Sequence, residues 1–227
     1  MVDPKGDFGF RPDPSPCDTG PAMTQTLRDL LIQRAARLQE RPALTAPDWG
    51  TLSYAQLRNR VEGVALGLLA MEPCPALFST TGTAWDWTAE VAAAASGLAW
   101  DPAGQAVPPE ILGGSRFNDE GGRGPYHARE QVVQPSTPFT SGLDHGEVMT
   151  RLRRLNVKLG WDHATQIGLP LARLGEAPVR AALWSALFAG AHAGLEPPSS
   201  GPLASPTRWR KTVPPWDPSP FLGFWQP

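Results

Sequence analysis

Between Thr26 and Pro42 the apolar residues Leu27, Leu30, Leu31, Ala35 and Leu38 recur at helical spacing. They predict an amphipathic helix with Thr26 as its N-cap and Pro42 beyond its end. The stretch ALTAPDWGTLSY then alternates apolar and polar positions about Asp48-Trp49-Gly50, which reads as a small hairpin. In SYAQLRNRVEGVALGLLA, Ser53 and Gln56 stand in capping-box spacing ahead of an apolar face of Leu57, Val61, Val64, Ala65 and Leu68. Each side chain of such a box satisfies the other residue's free backbone donor, so a second helix starts there.

Further along, PALFST reads as a short buried strand ending at Thr80-Thr81-Gly82. AWDWTAEVAAAASG reads as a helix of small residues closed by Gly97, and LAWD as the next strand. Strand, helix, strand in this order implies a parallel pair joined by a right-handed crossover. A short helix at PPEILGG and a loop-like stretch over 113–129 lead to a strand at QVVQP. GEVMTRLRRLNVKLGW, QIGLPL and APVRAALWSALFAGA give helix, strand, helix. The expected class is α/β, a three-layer domain with a mostly parallel sheet flanked by helices.

Composition divides the chain into three parts. More than half of its 26 prolines fall in an extended leader over 1–23 and a tail over 196–227, leaving the periodic patterns to 24–195. A formal net charge of −2 argues against a dedicated nucleic-acid binder, which would carry a basic surplus. Cys17 and Cys74 make no disulfide framework. No run approaches the roughly 18 apolar residues of a membrane span, and MVDPKGDFGFRPDPSPC has no apolar signal core, so a cytoplasmic protein is expected.

Candidate chemistry is sparse. His127, His145, His163 and His192 are scattered and none pairs with another at metal-ligand spacing, so no metal site is expected. There is no Gly-x-Ser-x-Gly elbow and no Cys/His pairing to suggest a nucleophile. The turn STTGT at 79–83 has the hydroxyls of a phosphate loop but no lysine, and reads as a strand-to-helix turn with a hydroxyl cap. Glu147, Arg151, Arg153, Arg154 and Lys158 read as a solvated helix face with local charge pairs.

Several words carry a resemblance. TLRDLLIQRAARLQERPAL, TLSYAQLRNRVEGVALGLLA, EVAAAASGLAWDP and LPLARLGEAPVRAALWSALFAGAHAGLE together resemble the N-terminal part of AMP-forming acyl-CoA synthetases and related adenylate-forming enzymes, over residues 24–195. That family opens adenylation with a loop Tyr/Phe-Thr-Ser-Gly-Thr-Thr-Gly-x-Pro-Lys-Gly. Its glycines and hydroxyls offer donors to the triphosphate and its lysine offers charge. Here Phe139, Thr140, Ser141 and Gly142 match the start, and Leu143-Asp144-His145-Gly146 follows at once. His145 matches a histidine that the family carries just beyond the loop.

The resemblance thus implies Thr140, Ser141 and Gly142 as a vestigial nucleotide-binding start, with the carboxylates of Asp144 and Glu147 where a lysine would stand. The family's adenine-binding aromatic motif, magnesium-binding Glu, ribose-binding Asp and lysine-bearing C-terminal domain have no counterpart as far as Pro227. The expectation is a non-catalytic binding or structural subunit on this scaffold, with no catalytic residue and no cofactor. The alternative is a residual acyl- or nucleotide-binding domain, either a sensor or one half of a split enzyme.

The tail TRWRKTVPPWDPSPFLGFWQP sets Arg208, Trp209, Arg210, Trp216, Phe221, Phe224 and Trp225 among prolines. Disordered linkers are poor in aromatics, and Trp and Arg dominate interface energetics. These seven residues are therefore the expected anchors for a protein partner or larger complex. Two other readings stay open: a cap over the chain's own core, and contact with a membrane surface.

Overall fold

A computed structural model describes residues 26–72, 74–112, 133–196, 211–212 and 216–226. The first helix, α1 (Leu27–Leu38), carries a complete capping box between Thr26 and Asp29. Strands β1 (Pro42–Ala46) and β2 (Gly50–Ser53) form the antiparallel hairpin expected around Trp49. Helix α2 (Tyr54–Leu69) starts at the Ser53–Gln56 box and buries Leu57, Val61, Val64, Ala65 and Leu68. After β3 (Leu77–Phe78), helix α3 (Ala84–Ser96) ends at Gly97, whose φ of 71° is the left-handed conformation glycine adopts without strain. Ala89 and Ala92–Ala94 are fully buried, so α3 runs through the interior, where small side chains let neighbouring helices approach closely.

Strand β4 (Gln105–Ala106) and helix α4 (Pro109–Leu112) come next. The remaining described elements are β5 (Pro138–Thr140), β6 (Leu143–Asp144), α5 (His145–Leu159), β7 (Thr165–Pro170), α6 (Ala177–Ala189), β8 (His192–Glu196) and β9 (Lys211–Thr212). The main sheet has the order β2-β1-β8-β7-β9, parallel except for the β1–β2 pair. Strand β7 buries Thr165, Ile167 and Leu169 and leaves Gly168 exposed. The Tyr54 hydroxyl donates to the Ala191 carbonyl at 2.7 Å, tying α2 to the turn before β8. The expected mostly parallel α/β architecture is the one that forms.

Four details depart from expectation. The LAWD strand shrinks to one bridge between Trp100 and Leu77. Pro102 and the turn closed by Gly104 N–H on the Asp101 carbonyl (2.8 Å) interrupt it, and β4 pairs with β3 instead. A Cβ on Gly104 would sit 2.8 Å from the Ala76 carbonyl, so that turn requires glycine. The QVVQP segment is described only from Val133, where Gln134 and Thr137 close a turn rather than a strand. HAGLE, to which the sequence pattern assigned no element, is β8, flanked by β1 and β7. Finally, the segment after 196 returns to the domain: β9 pairs with β7, and a short 3-10 turn (Ser219–Phe221) packs on α6.

Candidate functional site

Strands β5 and β6 are the two arms of a hairpin, and the nucleotide-loop residues are its turn. Ser141 and Gly142 both have positive φ, 51° and 76°, the sense that suits a two-residue hairpin turn. Both are exposed, whereas Thr140 and Phe139 point into the protein and are buried. The structure therefore keeps Thr140, Ser141 and Gly142 together but in two environments, with no lysine among them.

The hairpin feeds directly into α5, so the first amides of that helix are the natural seat for an anion. Each is already used. His145 N–H donates to the Thr137 carbonyl (3.1 Å) and Gly146 N–H to the Pro135 carbonyl (2.8 Å). Glu147 N–H donates to Asp144 Oδ1 (2.8 Å), and the Asp144 N–H donates back to Glu147 Oε2 (3.1 Å). Asp144 and Glu147 are thus a capping box that also places negative charge against the positive end of the helix dipole. Arg151, expected on a solvated face, instead donates to the carbonyls of Phe224 (2.6 Å) and Gln226 and holds the C-terminal segment. An open groove of about 770 Å³ beside the hairpin mixes Arg153 and Arg154 with Asp144 and Glu147.

His145 is fully buried. Its Nδ1 accepts the backbone N–H of Leu27 at 3.2 Å, so it caps α1 from another helix. Burial lowers its pKa to about 4, with the carboxylates of Asp144 and Asp29 pulling weakly the other way. Among the described residues, neither the Thr140 hydroxyl nor the His145 Nε2 has a hydrogen-bond partner.

The STTGT turn is closed from within. Asp86, in the first turn of α3, accepts from the Ser79 hydroxyl (2.6 Å), the Thr81 amide and hydroxyl (2.8 Å each) and the Gly82 amide (2.8 Å). Thr83 caps the helix by accepting from Trp85 N–H, as the hydroxyl-cap reading expected. One helical turn further on, Glu90 is buried and receives both arms of Arg180, at 2.7 and 2.8 Å, together with the Trp184 indole N–H at 2.9 Å. Sequence reasoning passed over Glu90, although a lone carboxylate in the run EVAAAA signals a buried partner.

The aromatic tail provides the lid of this network. Trp225 lies over the Arg180 guanidinium (5.0 Å), meets the Phe139 ring edge-on (6.4 Å) and donates its indole N–H to the Ala177 carbonyl (2.9 Å). Phe221, Phe224 and Trp225 are buried and Trp216 is half-buried, stacked on Phe221 at 5.4 Å. Four of the seven expected anchors thus pack against the chain's own core. There the tail rings cover Phe139, Trp161 and the Arg180 guanidinium that pairs with Glu90. Arg208, Trp209 and Arg210 lie outside the described residues.

Among the described residues no group of three or more metal-ligating side chains occurs, and no helix is long and apolar enough to cross a membrane. Neither a family model nor a curated protein sequence matches the chain. Solved structures do. The nonribosomal peptide synthetase FmoA3 in its AMPPNP-bound form superposes with a TM-score of 0.58 at 17% identity, over 79% of this chain and 23% of that one. The N-terminal subdomain of Klebsiella oxytoca NpsA gives 0.54 at 16% identity, over 79% of this chain and 55% of that one. A long-chain-fatty-acid CoA ligase from Rhodopseudomonas palustris gives 0.51 at 16% identity, over 75% and 57%. The chain spans less than two thirds of each of these proteins. What it shares with them is the fold of the N-terminal part of adenylate-forming enzymes.

Proposed function

We propose that this chain is a non-catalytic binding or structural subunit built on the adenylate-forming scaffold. The observation that carries the reading is the occupied start of α5: the amides of His145, Gly146 and Glu147 are all taken by the protein itself. A triphosphate brought to these three amides would meet two carboxylates and find each amide engaged, and its binding there would require breaking the capping box first. Without that seat, the start of α5 offers no charge stabilisation for adenylation. Docking to a protein partner in the cytoplasm then falls to Arg208, Trp209 and Arg210, because the other anchors are committed to the core.

Two measurements test this. ATP–pyrophosphate exchange with a panel of carboxylic acids, and calorimetry with MgATP, are expected to give background only; exchange above background overturns the reading. Native mass spectrometry of gently purified protein should show a stoichiometric partner that is lost when Arg208, Trp209 and Arg210 are all replaced by Ala. A lone chain in both samples would remove the docking half of the proposal.

A further inference from the structure

The turn of the β1–β2 hairpin and the start of α3 bring two tryptophans together around one arginine. Trp49 directly precedes β2, and its N–H closes the turn on the Ala46 carbonyl at 3.2 Å. Trp85 stands in the first turn of α3, with its N–H on the Thr83 hydroxyl at 3.3 Å. Their rings meet edge-on at 4.6 Å. The Arg60 guanidinium, reaching from α2, lies over both, at 4.6 Å from Trp49 and 5.3 Å from Trp85. All three side chains are half-buried, so packing orders the cluster while part of it faces solvent.

Several arginines of this chain have an oxygen to meet. Arg58 pairs with Glu62 at 2.6 Å, Arg173 with Glu176, Arg180 with Glu90, and Arg151 donates to backbone carbonyls. Among the described residues Arg60 makes no hydrogen bond and no ion pair. Ring contact brings no oxygen to its five N–H donors. Burial lowers its pKa and no carboxylate pulls it back, whereas the Glu176 carboxylate raises that of Arg173. A guanidinium already held over rings loses little further freedom on receiving a carboxylate, which it takes through two parallel N–H bonds.

Three features set the chemistry of an occupant. The free donors call for an anion. The cation stands alone: Arg58, two residues away, is already paired, and the exposed Asp48 beside Trp49 is itself acidic. A nucleic acid strand or an anionic bilayer draws its affinity from several cations at once, so a single carboxylate suits this site better. Finally, the indoles place apolar surface beside the charge, and Trp and Arg are the residue types that dominate interface energetics.

We propose that Trp49, Arg60 and Trp85 form a docking site for an acidic segment of a partner protein. An Asp or Glu side chain of that segment sits on the Arg60 guanidinium, and its apolar neighbour packs on the two indoles. The inference rests on the reading of the chain as a docking subunit, but it uses residues other than Arg208, Trp209 and Arg210.

The test titrates the full chain with the peptide acetyl-Pro-Leu-Glu-Leu-Pro-amide and follows the indole N–H resonances in nitrogen-15 spectra. The Trp49 and Trp85 resonances are expected to shift. The same peptide with Gln in place of Glu should bind about fivefold more weakly, a comparison that needs no variant. Arg60→Gln should weaken the Glu peptide about fivefold and leave the Gln peptide unchanged, and Arg60→Lys should recover part of the loss. Thermal midpoints close to wild type would show that both variants are folded. The variant with Arg208, Trp209 and Arg210 all replaced by Ala, which tests the proposed function, should bind the peptide as wild type does. Absence of any shift up to about 10 mM peptide, equal affinity for the Gln peptide, or undiminished binding in Arg60→Gln would each overturn the inference. Displacement of the peptide by phosphatidylserine vesicles or by oligothymidylate would assign the site to a lipid surface or a nucleic acid and overturn it as well.

Discussion

Two turns in this molecule share a plan and differ in how they are closed. Ser79–Thr83 and Thr140–Asp144 each pass from a strand through hydroxyl and glycine residues into a helix N-terminus, the arrangement that usually receives a phosphate. At the first, one carboxylate does nearly all the closing: Asp86 reaches back from inside α3 and takes four donors. At the second the work is divided. Backbone carbonyls of Pro135 and Thr137 take two amides, and Asp144 takes the third. An anion seat can therefore be filled by a single internal carboxylate or by two backbone carbonyls and a capping carboxylate together. The two should respond differently to mutation.

The largest effect is expected at the concentrated site. Asp86→Ala removes a buried carboxylate from four donors, the buried Ser79 hydroxyl among them, and should cost about 3–4 kcal/mol, read as a drop in the urea midpoint at unchanged slope. A loss below about 1 kcal/mol would mean that water replaces the carboxylate freely.

Next comes pH, which reaches the divided site through His145. Its pKa is about 4 in the folded chain against an ordinary 6.5, so between those values the unfolded chain binds the extra proton. The stability held by neutral His145 is complete above pH 6.5 and is lost as pH falls toward 4, on the order of 3 kcal/mol in all. Burial also lowers the His192 pKa, which adds loss of the same sign. Urea melts at pH 7 and pH 4.5 should show the fall, and His145→Gln should shrink the difference between them.

Smaller effects follow at the distributed turn itself. Asp144→Ala removes one cap bond and should cost about 1 kcal/mol. It should not create MgATP affinity, because the amides of His145 and Gly146 stay occupied; a gain of binding would collapse the contrast between the two turns. Gly142→Ala places a side chain at φ 76° and should cost about 1 kcal/mol. Ser141→Gly, at φ 51°, should be neutral or stabilise by about 0.5 kcal/mol. Denaturation of the three variants side by side checks these values.

Local signals were legible wherever the controlling interaction is local. The caps at Thr26 and Ser53, the hairpin at Trp49 and the glycine stop at Gly97 all involve groups a few residues apart, and their residue types announce them. Strand β8 was not legible, since its five residues owe their place to β1 and β7 on either side rather than to an alternating pattern. LAWD reads as a strand, but Pro102 and the Gly104 turn hand the pairing to β4.

The sequence by itself determined the helices with their caps, the α/β class and the loss of lysine from the hairpin, because these follow from neighbouring residues. Only the tertiary structure decided what the buried charges and the aromatic tail do. Glu90 meets Arg180 across 90 positions and Trp225 meets the Ala177 carbonyl across 48. An aromatic segment suits a partner's surface and its own core equally well on composition. The choice belongs to whichever apolar surface stands uncovered within reach, and here that surface is Phe139, Trp161 and the ring-covered face of Arg180.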